Sequence, residues 1–250
     1  MIKIILNGCN GKMGRTVTQI ISSREDMEIV AGVDIFQGTD NTYPVYSSFS
    51  EINEKADAVI DFSNPSALSS ILDYCKTNKI GVVVCTTGLS EEQKGELKSA
   101  AKSIPVFFSA NMSLGVNLLC ELAKKAAKVL GDSFDIEIVE AHHNQKLDAP
   151  SGTALMIADA IKSELNYDAE YEYDRHSKRE KRKPTEIGIH AIRGGTIVGE
   201  HEVIFAGNDE IVKISHSARS KALFATGAVN AAAFIYDKKP GEYNMSDLLK

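Results

Sequence analysis

The segment Gly8-Cys9-Asn10-Gly11-Lys12-Met13-Gly14 most constrains what this chain can fold into. It follows a short β-branched apolar run, Ile2-Lys3-Ile4-Ile5-Leu6, and opens a stretch where Met13, Val17, Ile20 and Ile21 recur at helical spacing. Strand, glycine turn and helix in that order begin a βαβ unit. Such a turn suits a pyrophosphate: the helix N-terminus offers backbone N–H groups, and glycines let the backbone approach the ligand. The spacing is G-x-x-G-x-x-G rather than the commoner G-x-G-x-x-G, so the position between strand and helix carries the reading. Asp34 ends the next strand-like run, 20 residues beyond Gly14. A carboxylate at that separation takes adenosine ribose hydroxyls and repels a ribose 2′-phosphate. These residues predict a nicotinamide dinucleotide, with NADH favoured by Asp34 and NADPH left open by Lys12 and Arg15.

The rhythm continues for about a hundred residues. Residues 29–33, 58–61, 81–85 and 106–108 repeat the strand signal, with helical patterns over 67–77 and 91–102. Alternation of this kind predicts a doubly wound, Rossmann-like α/β parallel sheet with helices on both faces. After Asn111 the pattern changes. A long helix over 115–130 and a strand over 134–140 are followed by a polar loop over 141–150 and a helix over 152–165. Residues 185–193, 199–206 and 209–216 read as strands joined by glycine-containing turns, and are expected to pair antiparallel. An Ala-rich helix over 222–236 ends the series. The expected division is a dinucleotide-binding domain over 1–112, an α+β substrate-binding and oligomerisation domain with a mostly antiparallel sheet over 113–220, and a segment over 221–250 that returns to the first domain.

Composition narrows the function classes. The chain has 250 residues, 28 basic against 34 acidic side chains and 43% hydrophobic content, which is ordinary globular composition. A net charge of −6 disfavours nucleic-acid binding, which must neutralise phosphates. The run Arg175 to Pro184 has no apolar period or interleaved aromatics and reads as a solvated loop. No stretch has the length of apolar residues that a membrane span needs. The first residues run directly into a strand, without a signal-peptide layout, so a cytoplasmic protein is expected. Cys9, Cys75, Cys85 and Cys120 form no C-x-x-C pair, so neither a disulfide framework nor a zinc ribbon is expected.

The densest chemistry lies between Glu140 and Ala154, in the string EAHHNQKLDAPSGTA. His142, His143 and Lys146 stand within five residues, on what reads as a loop between strand and helix. Ser151-Gly152-Thr153 then begins the helix, where free backbone N–H groups make an anion site. Imidazoles that exchange protons near neutrality, an ammonium group and a helix N-terminus suit a small anionic substrate. Adjacent histidines on extended backbone point to opposite sides, and no further metal-ligand spacing is nearby, so no metal is expected. Ser151 reads as a helix cap rather than a nucleophile, since no G-x-S-x-G elbow surrounds it. His176, His190, His201 and His216 are scattered and read as structural.

On these residues the chain resembles the 4-hydroxy-tetrahydrodipicolinate reductase (dihydrodipicolinate reductase) family of diaminopimelate and lysine biosynthesis. The resemblance covers essentially the whole length. It rests most on Glu140 to Ala154, then on Gly8 to Arg15, Asp61-Phe62-Ser63, Thr86-Thr87-Gly88, Ala110-Asn111-Met112-Ser113 and Ile192-Arg193-Gly194-Gly195. It implies that Gly8, Cys9, Asn10, Gly11, Lys12 and Met13 hold the cofactor pyrophosphate and that Asp34 holds the ribose. Cys85, Thr86 and Thr87, with Ser109, Ala110, Asn111 and Met112, would border the nicotinamide. His142 would be a proton donor and acceptor, Lys146 a proton donor, and His143, Gly152 and Thr153 ligands of the substrate carboxylates. It also implies a homotetramer, where the sequence itself supports only self-association. Two positions depart from the family pattern: Cys85 stands where glycine is common, and Ser220-Lys221 where Ser-Arg is. Two other readings stay open on the residues alone. One is a different two-domain dehydrogenase acting on an amino or hydroxy acid; the other is a non-enzymatic cofactor sensor or regulator.

Overall fold

A computed structural model describes residues 1–36 and 41–250. The chain begins with β1 (Ile2–Asn7), α1 (Lys12–Ile21), β2 (Met27–Val33), β3 (Val45–Tyr46) and β4 (Ala58–Asp61). Next come α2 (Leu68–Asn78), β5 (Gly81–Val84), α3 (Glu91–Ala100) and β6 (Pro105–Phe108). The middle holds α4 (Leu114–Leu130), β7 (Asp135–His142), α5 (Gly152–Lys162), β8 (Glu170–Glu172), β9 (Glu186–Arg193), β10 (Gly199–Ala206) and β11 (Ile211–Ala218). It ends with α6 (Ala222–Ile235), β12 (Gly241–Tyr243) and α7 (Met245–Leu248). Two compact units result: Met1–Ser113 together with Ala222–Lys250, and Leu114–Lys221.

The first unit is a seven-stranded parallel sheet in the order β12-β6-β5-β4-β1-β2-β3. Its strands are apolar on both faces because both faces are covered. Ile4, Leu6, Ile60 and Val83 pack with Val17 and Ile21 of α1 and Ala228 and Ala232 of α6. Ile5, Val59, Val82 and Val84 face the other way, onto Leu68, Ile71 and Leu97 of α2 and α3. The strand order reverses between β1 and β4, and such a reversal opens a crevice beyond the carboxyl ends of the strands. Gly227 lets α6 come close: a Cβ there would lie 1.7 Å from the carbonyl oxygen of Met112.

The second unit is a mixed five-stranded sheet in the order β11-β10-β7-β9-β8. β7, β9 and β10 place Ile136, Ile138, Ile187, Ile189, Val203 and Phe205 against Leu119 and Ala123 of α4 and Ile157 and Ile161 of α5. The antiparallel ladders, β10 with β7 and with β11, hold more paired residues than the parallel ones. One expected pairing is corrected. β9 runs parallel to β7 and β8, with Ile136 opposite Ile187 and Glu170 opposite Glu186. β7 is inserted between β9 and β10, so the turn at Gly194-Gly195 spans the end of β7 instead of closing a hairpin.

One further expectation changes. β7 continues two residues beyond the predicted end, because β9 supplies partners: Ala141 lies opposite Ile192 and His142 opposite Arg193. His142 is therefore on a strand and not in a loop. The charged run from Arg175 to Pro184 is a largely exposed loop, as expected, but two of its arginines and one lysine reach acids of the sheet. Arg182 bonds Glu137 through Nε at 3.0 Å, Asp135 at 2.8 Å and the Ile136 carbonyl at 3.1 Å, with its side chain only 16% exposed. Arg175 pairs with Glu186, and Lys178 with Glu172. These cations neutralise acids along the β8–β9 edge.

Candidate functional site

The glycine turn lies at the strand-order reversal. Gly8 has φ +76°, a conformation that favours glycine, and a Cβ there would sit 2.5 Å from the Phe62 carbonyl oxygen. A Cβ on Gly14 would lie 2.2 Å from the Gly8 carbonyl, so glycine lets α1 start directly under the turn. Gly11 caps α1 without a side-chain hydrogen bond, and the first turn of α1 holds no acidic residue. A helix start of this kind presents backbone N–H groups and positive potential to an anion. Lys12 and Arg15 are exposed beside it, and Arg15 Nε donates to the Asn10 carbonyl at 3.0 Å. Met13 packs into the core edge, and the Cys9 side chain is fully buried. Burial, then the charge of Asp34, pushes the Cys9 thiol up to about 11. Only the backbone of Cys9 can face a ligand.

Asp34 stands at the end of β2 and bridges two loops. Its Oδ2 accepts from Asn10 N–H and its Oδ1 from Phe36 N–H, each at 2.9 Å. A cavity of about 1120 Å³ opens here, lined among others by Gly8, Gly11, Asp34, Phe36, Ser63 and Tyr74. Turn, carboxylate and cavity suit an adenosine diphosphate.

Further along the same strand ends lie the other candidates. Thr86 is buried and its hydroxyl donates to Asp61 Oδ2 at 2.7 Å. Asp61 also accepts from Asn7 Nδ2 at 2.9 Å and from Ser63 Oγ at 2.6 Å, tying the ends of β1, β4 and β5 together. Thr86 thus spends its side chain on the fold, while Thr87 is exposed. Burial, then the charge of Asp61, holds the Cys85 thiol well above its usual range. After β6, Ser109 Oγ donates to the Asn111 carbonyl at 3.1 Å and Asn111 Oδ1 accepts from Ser113 N–H at 2.8 Å, which shapes the segment carrying Ala110 and Met112.

The second unit assembles the residues from Glu140 to Ala154. Glu140 is wholly buried. Its Oε2 lies 2.7 Å from His142 Nδ1 and 2.8 Å from Arg193 Nη1. Its Oε1 takes Arg193 Nη2 at 2.7 Å and Ser151 N–H at 3.0 Å. Burial of Glu140 raises its pKa, but the hydrogen bonds from Arg193, His142 and Ser151 outweigh that and hold the carboxyl below its usual range. Ser151 caps α5, its Oγ accepting from Ala154 N–H at 3.1 Å. A Cβ added at Gly152 would meet nothing within 4 Å, so the space beside this first turn is open. His143 is half-buried, and Lys146 pairs with Asp148 at 2.9 Å.

The sequence assigns no role to Glu140 or Arg193 and marks His201 only as structural. His201 stands edge-on to His142, ring centroids 5.3 Å apart, and its Nε2 is 3.1 Å from Ser151 Oγ. Burial, then repulsion from His142, pushes His201 down to about 4. It lies opposite Glu140 in the β7–β10 ladder, a register that residues 61 positions apart in the chain do not announce. No cluster of three or more His, Cys, Asp or Glu suited to a metal ion occurs among the described residues.

Comparison with known proteins follows the same division. A family model described as dihydrodipicolinate reductase, N-terminus, matches residues 2–112, and one described as dihydrodipicolinate reductase, C-terminus, matches residues 115–249. The 4-hydroxy-tetrahydrodipicolinate reductase of Caldanaerobacter subterraneus subsp. tengcongensis is 56% identical over 254 residues, covering 100% of this chain and 99% of that protein. That of Clostridium novyi is 48% identical over 250 residues, covering 100% and 99%. In fold, the chain is similar to a dipicolinate-bound dihydrodipicolinate reductase from Paenisporosarcina sp. TG-14, with a TM-score of 0.84 at 24% identity over 99% of both chains. With both halves matched by its models, the chain belongs to the dihydrodipicolinate reductase family of NAD(P)H-dependent oxidoreductases.

Proposed function

We propose that the protein reduces 4-hydroxy-tetrahydrodipicolinate to tetrahydrodipicolinate in diaminopimelate and lysine biosynthesis. The observation that carries the reading is the Glu140–His142 pair, 2.7 Å apart, beside the Ser151-capped start of α5. It puts a proton-exchanging imidazole next to an anion-binding helix end, as a cyclic dicarboxylate requires. Family membership over the full length supports the same substrate.

Met1–Ser113 with Ala222–Lys250 serves as the dinucleotide-binding domain and Leu114–Lys221 as the substrate domain. Gly8 to Met13 and the positive end of α1 cradle the pyrophosphate, and Asp34 takes the ribose hydroxyls. The backbone at Cys85, Thr86 and Thr87 and the segment Ser109 to Met112 border the nicotinamide. When bound, the reduced nicotinamide supplies a hydride to the conjugated imine. The carbon skeleton also takes up a proton, and the hydroxyl is lost as water. Lys146 gives the proton, and His142 exchanges one through Nε2. His143 and the N–H groups of Gly152 and Thr153 hold the carboxylates; orientation of the ring is most of what the protein adds to hydride chemistry.

Asp34 favours NADH, while Arg15 and Lys12 beside the turn allow NADPH. The face of the second sheet opposite α4 and α5 carries Glu137, His190, Glu202 and Lys213, and self-association into a homotetramer through this unit would cover it. No helix among the described residues is long and apolar enough to cross a membrane, and a biosynthetic role places the protein in the cytoplasm.

A coupled assay tests the reading. Aspartate semialdehyde, pyruvate and the synthase that condenses them are mixed with NADH, and absorbance is followed on adding the protein. NADH oxidation that depends on every component supports the assignment; none with either NADH or NADPH refutes it.

A further inference from the structure

Glu140 has no polar surface left to offer a substrate. It is wholly buried, and each of its oxygens takes two donors. Arg193 and the Ser151 N–H can only donate, so the carboxylate is ionised and can only accept. The fourth contact then determines a proton position: Nδ1 of His142 must carry hydrogen. In neutral His142 the nitrogen that exchanges protons is therefore Nε2. Gly199 lies against that nitrogen, where a Cβ would come within 3.1 Å.

The same carboxylate joins three segments. His142 ends β7, Arg193 ends β9, and Ser151 starts α5. Arg193 also reaches the Asp148 carbonyl through Nη2 at 2.7 Å, tying in the loop that carries Lys146. We infer that Glu140, clamped by Arg193, is a positioning residue that holds the proton on His142 Nδ1 and seats the N-terminus of α5 in register with it. This rests on the proposed roles of His142 and of α5. Glu140 does not touch the substrate; it acts through the two groups that do.

Glutamine shows why a carboxylate is needed. Its NH₂ would face either His142 Nδ1 or the Ser151 N–H, in both cases beside an Arg193 donor. In the first case the amide donates to Nδ1 and shifts the imidazole proton to Nε2. In the second, two donors oppose each other and the start of α5 is displaced. The groups facing His142 are Glu140 on its own strand, Arg193 of β9 on the same carboxylate, and His201 on β10, while Lys146 in the following loop pairs with Asp148. In Glu140→Gln the cations remain and the anion that holds both the guanidinium and Nδ1–H is gone.

Two measurements decide the matter. Ring-nitrogen NMR of the unmodified protein, assigned by signal loss in His142→Asn, is expected to show neutral His142 as the Nδ1–H tautomer; an Nε2–H tautomer overturns the inference. This reading survives even if a variant fails to fold. In kinetics, Glu140→Gln is expected to lose about 10²- to 10⁴-fold in kcat, the range a positioned proton-exchanging group contributes. The KM for the dinucleotide stays unchanged. Glu140→Asp, which keeps the charge and both acceptors, is expected to recover part of the lost kcat. Unchanged kcat in Glu140→Gln overturns the inference. Failure of the unmodified protein to turn over the imine substrate would instead count against the proposed function, and the tautomer would still be read.

Discussion

The guanidinium of Arg193 lies in a two-pronged contact with the carboxylate of Glu140, Nη1 to Oε2 at 2.8 Å and Nη2 to Oε1 at 2.7 Å. Removing one member of such a buried pair leaves the other charge without compensation, at a cost of about 3–5 kcal/mol. Arg193→Met is expected to lower unfolding free energy by an amount near the bottom of that range, because the arginine side chain is 19% exposed. Urea titration measures it. A double variant, Arg193→Met with Glu140→Gln, should recover part of the loss.

Lys146 is expected to matter for turnover and not for the cofactor. Lys146→Ala should reduce kcat by about 10²-fold or more, the contribution of a positioned proton donor, with NADH affinity by fluorescence titration nearly unchanged. Comparable losses in both would remove the role proposed for it.

The role proposed for Asp34 is to tune cofactor choice through charge. Asp34→Asn removes the negative charge and keeps one of the two acceptors, because its NH₂ must face either Asn10 N–H or Phe36 N–H. The ratio of kcat/KM for NADH over NADPH is expected to fall by about tenfold, the equivalent of 1.4 kcal/mol. Strong NADPH selectivity in the unmodified protein would contradict the reading of this carboxylate.

His201 makes stability depend on pH. Its folded pKa is depressed from 6.5 to about 4, so the unfolded chain binds the extra proton between those values. Stability is then fully present above about pH 6.5 and is lost as pH falls toward 4, by about 3 kcal/mol at 1.36 kcal/mol per pH unit. The difference in urea midpoint between pH 7 and pH 4.5 should be smaller in His201→Gln than in the unmodified protein; an equal difference would assign the pH dependence to another group.

Gly8→Ala should be costly for a backbone reason. The added Cβ would meet the Phe62 carbonyl at 2.5 Å in a left-handed conformation, combining a clash with strain of roughly 1–2 kcal/mol. Loss of both thermal stability and dinucleotide binding is expected, the first read by calorimetry and the second by titration.

Much of this molecule is written locally. The apolar runs at Ile4 to Leu6, Ala58 to Asp61 and Gly81 to Val84 are parallel strands because both their faces are covered, and the glycines from Gly8 to Gly14 mark a turn that few other residues can make. Ser151 before an apolar helical period likewise identifies a cap, since the bond to Ala154 N–H spans three residues. The density of His142, His143 and Lys146, on which the proposed chemistry rests, is likewise visible in the chain itself.

What the sequence by itself determined were the features set by neighbours in the chain: turn, cap, strand alternation and the cluster of proton-exchanging side chains. Only the tertiary structure decided that β7 lies between β9 and β10, and with it the surroundings of His142. Arg193 and His201 reach Glu140 and His142 through ladder register across separate strands, not through any spacing along the chain. A carboxylate can be buried there because Arg193 and Ser151 fill three of its contacts beside neighbouring His142, and that compensation exists only when the sheet has formed.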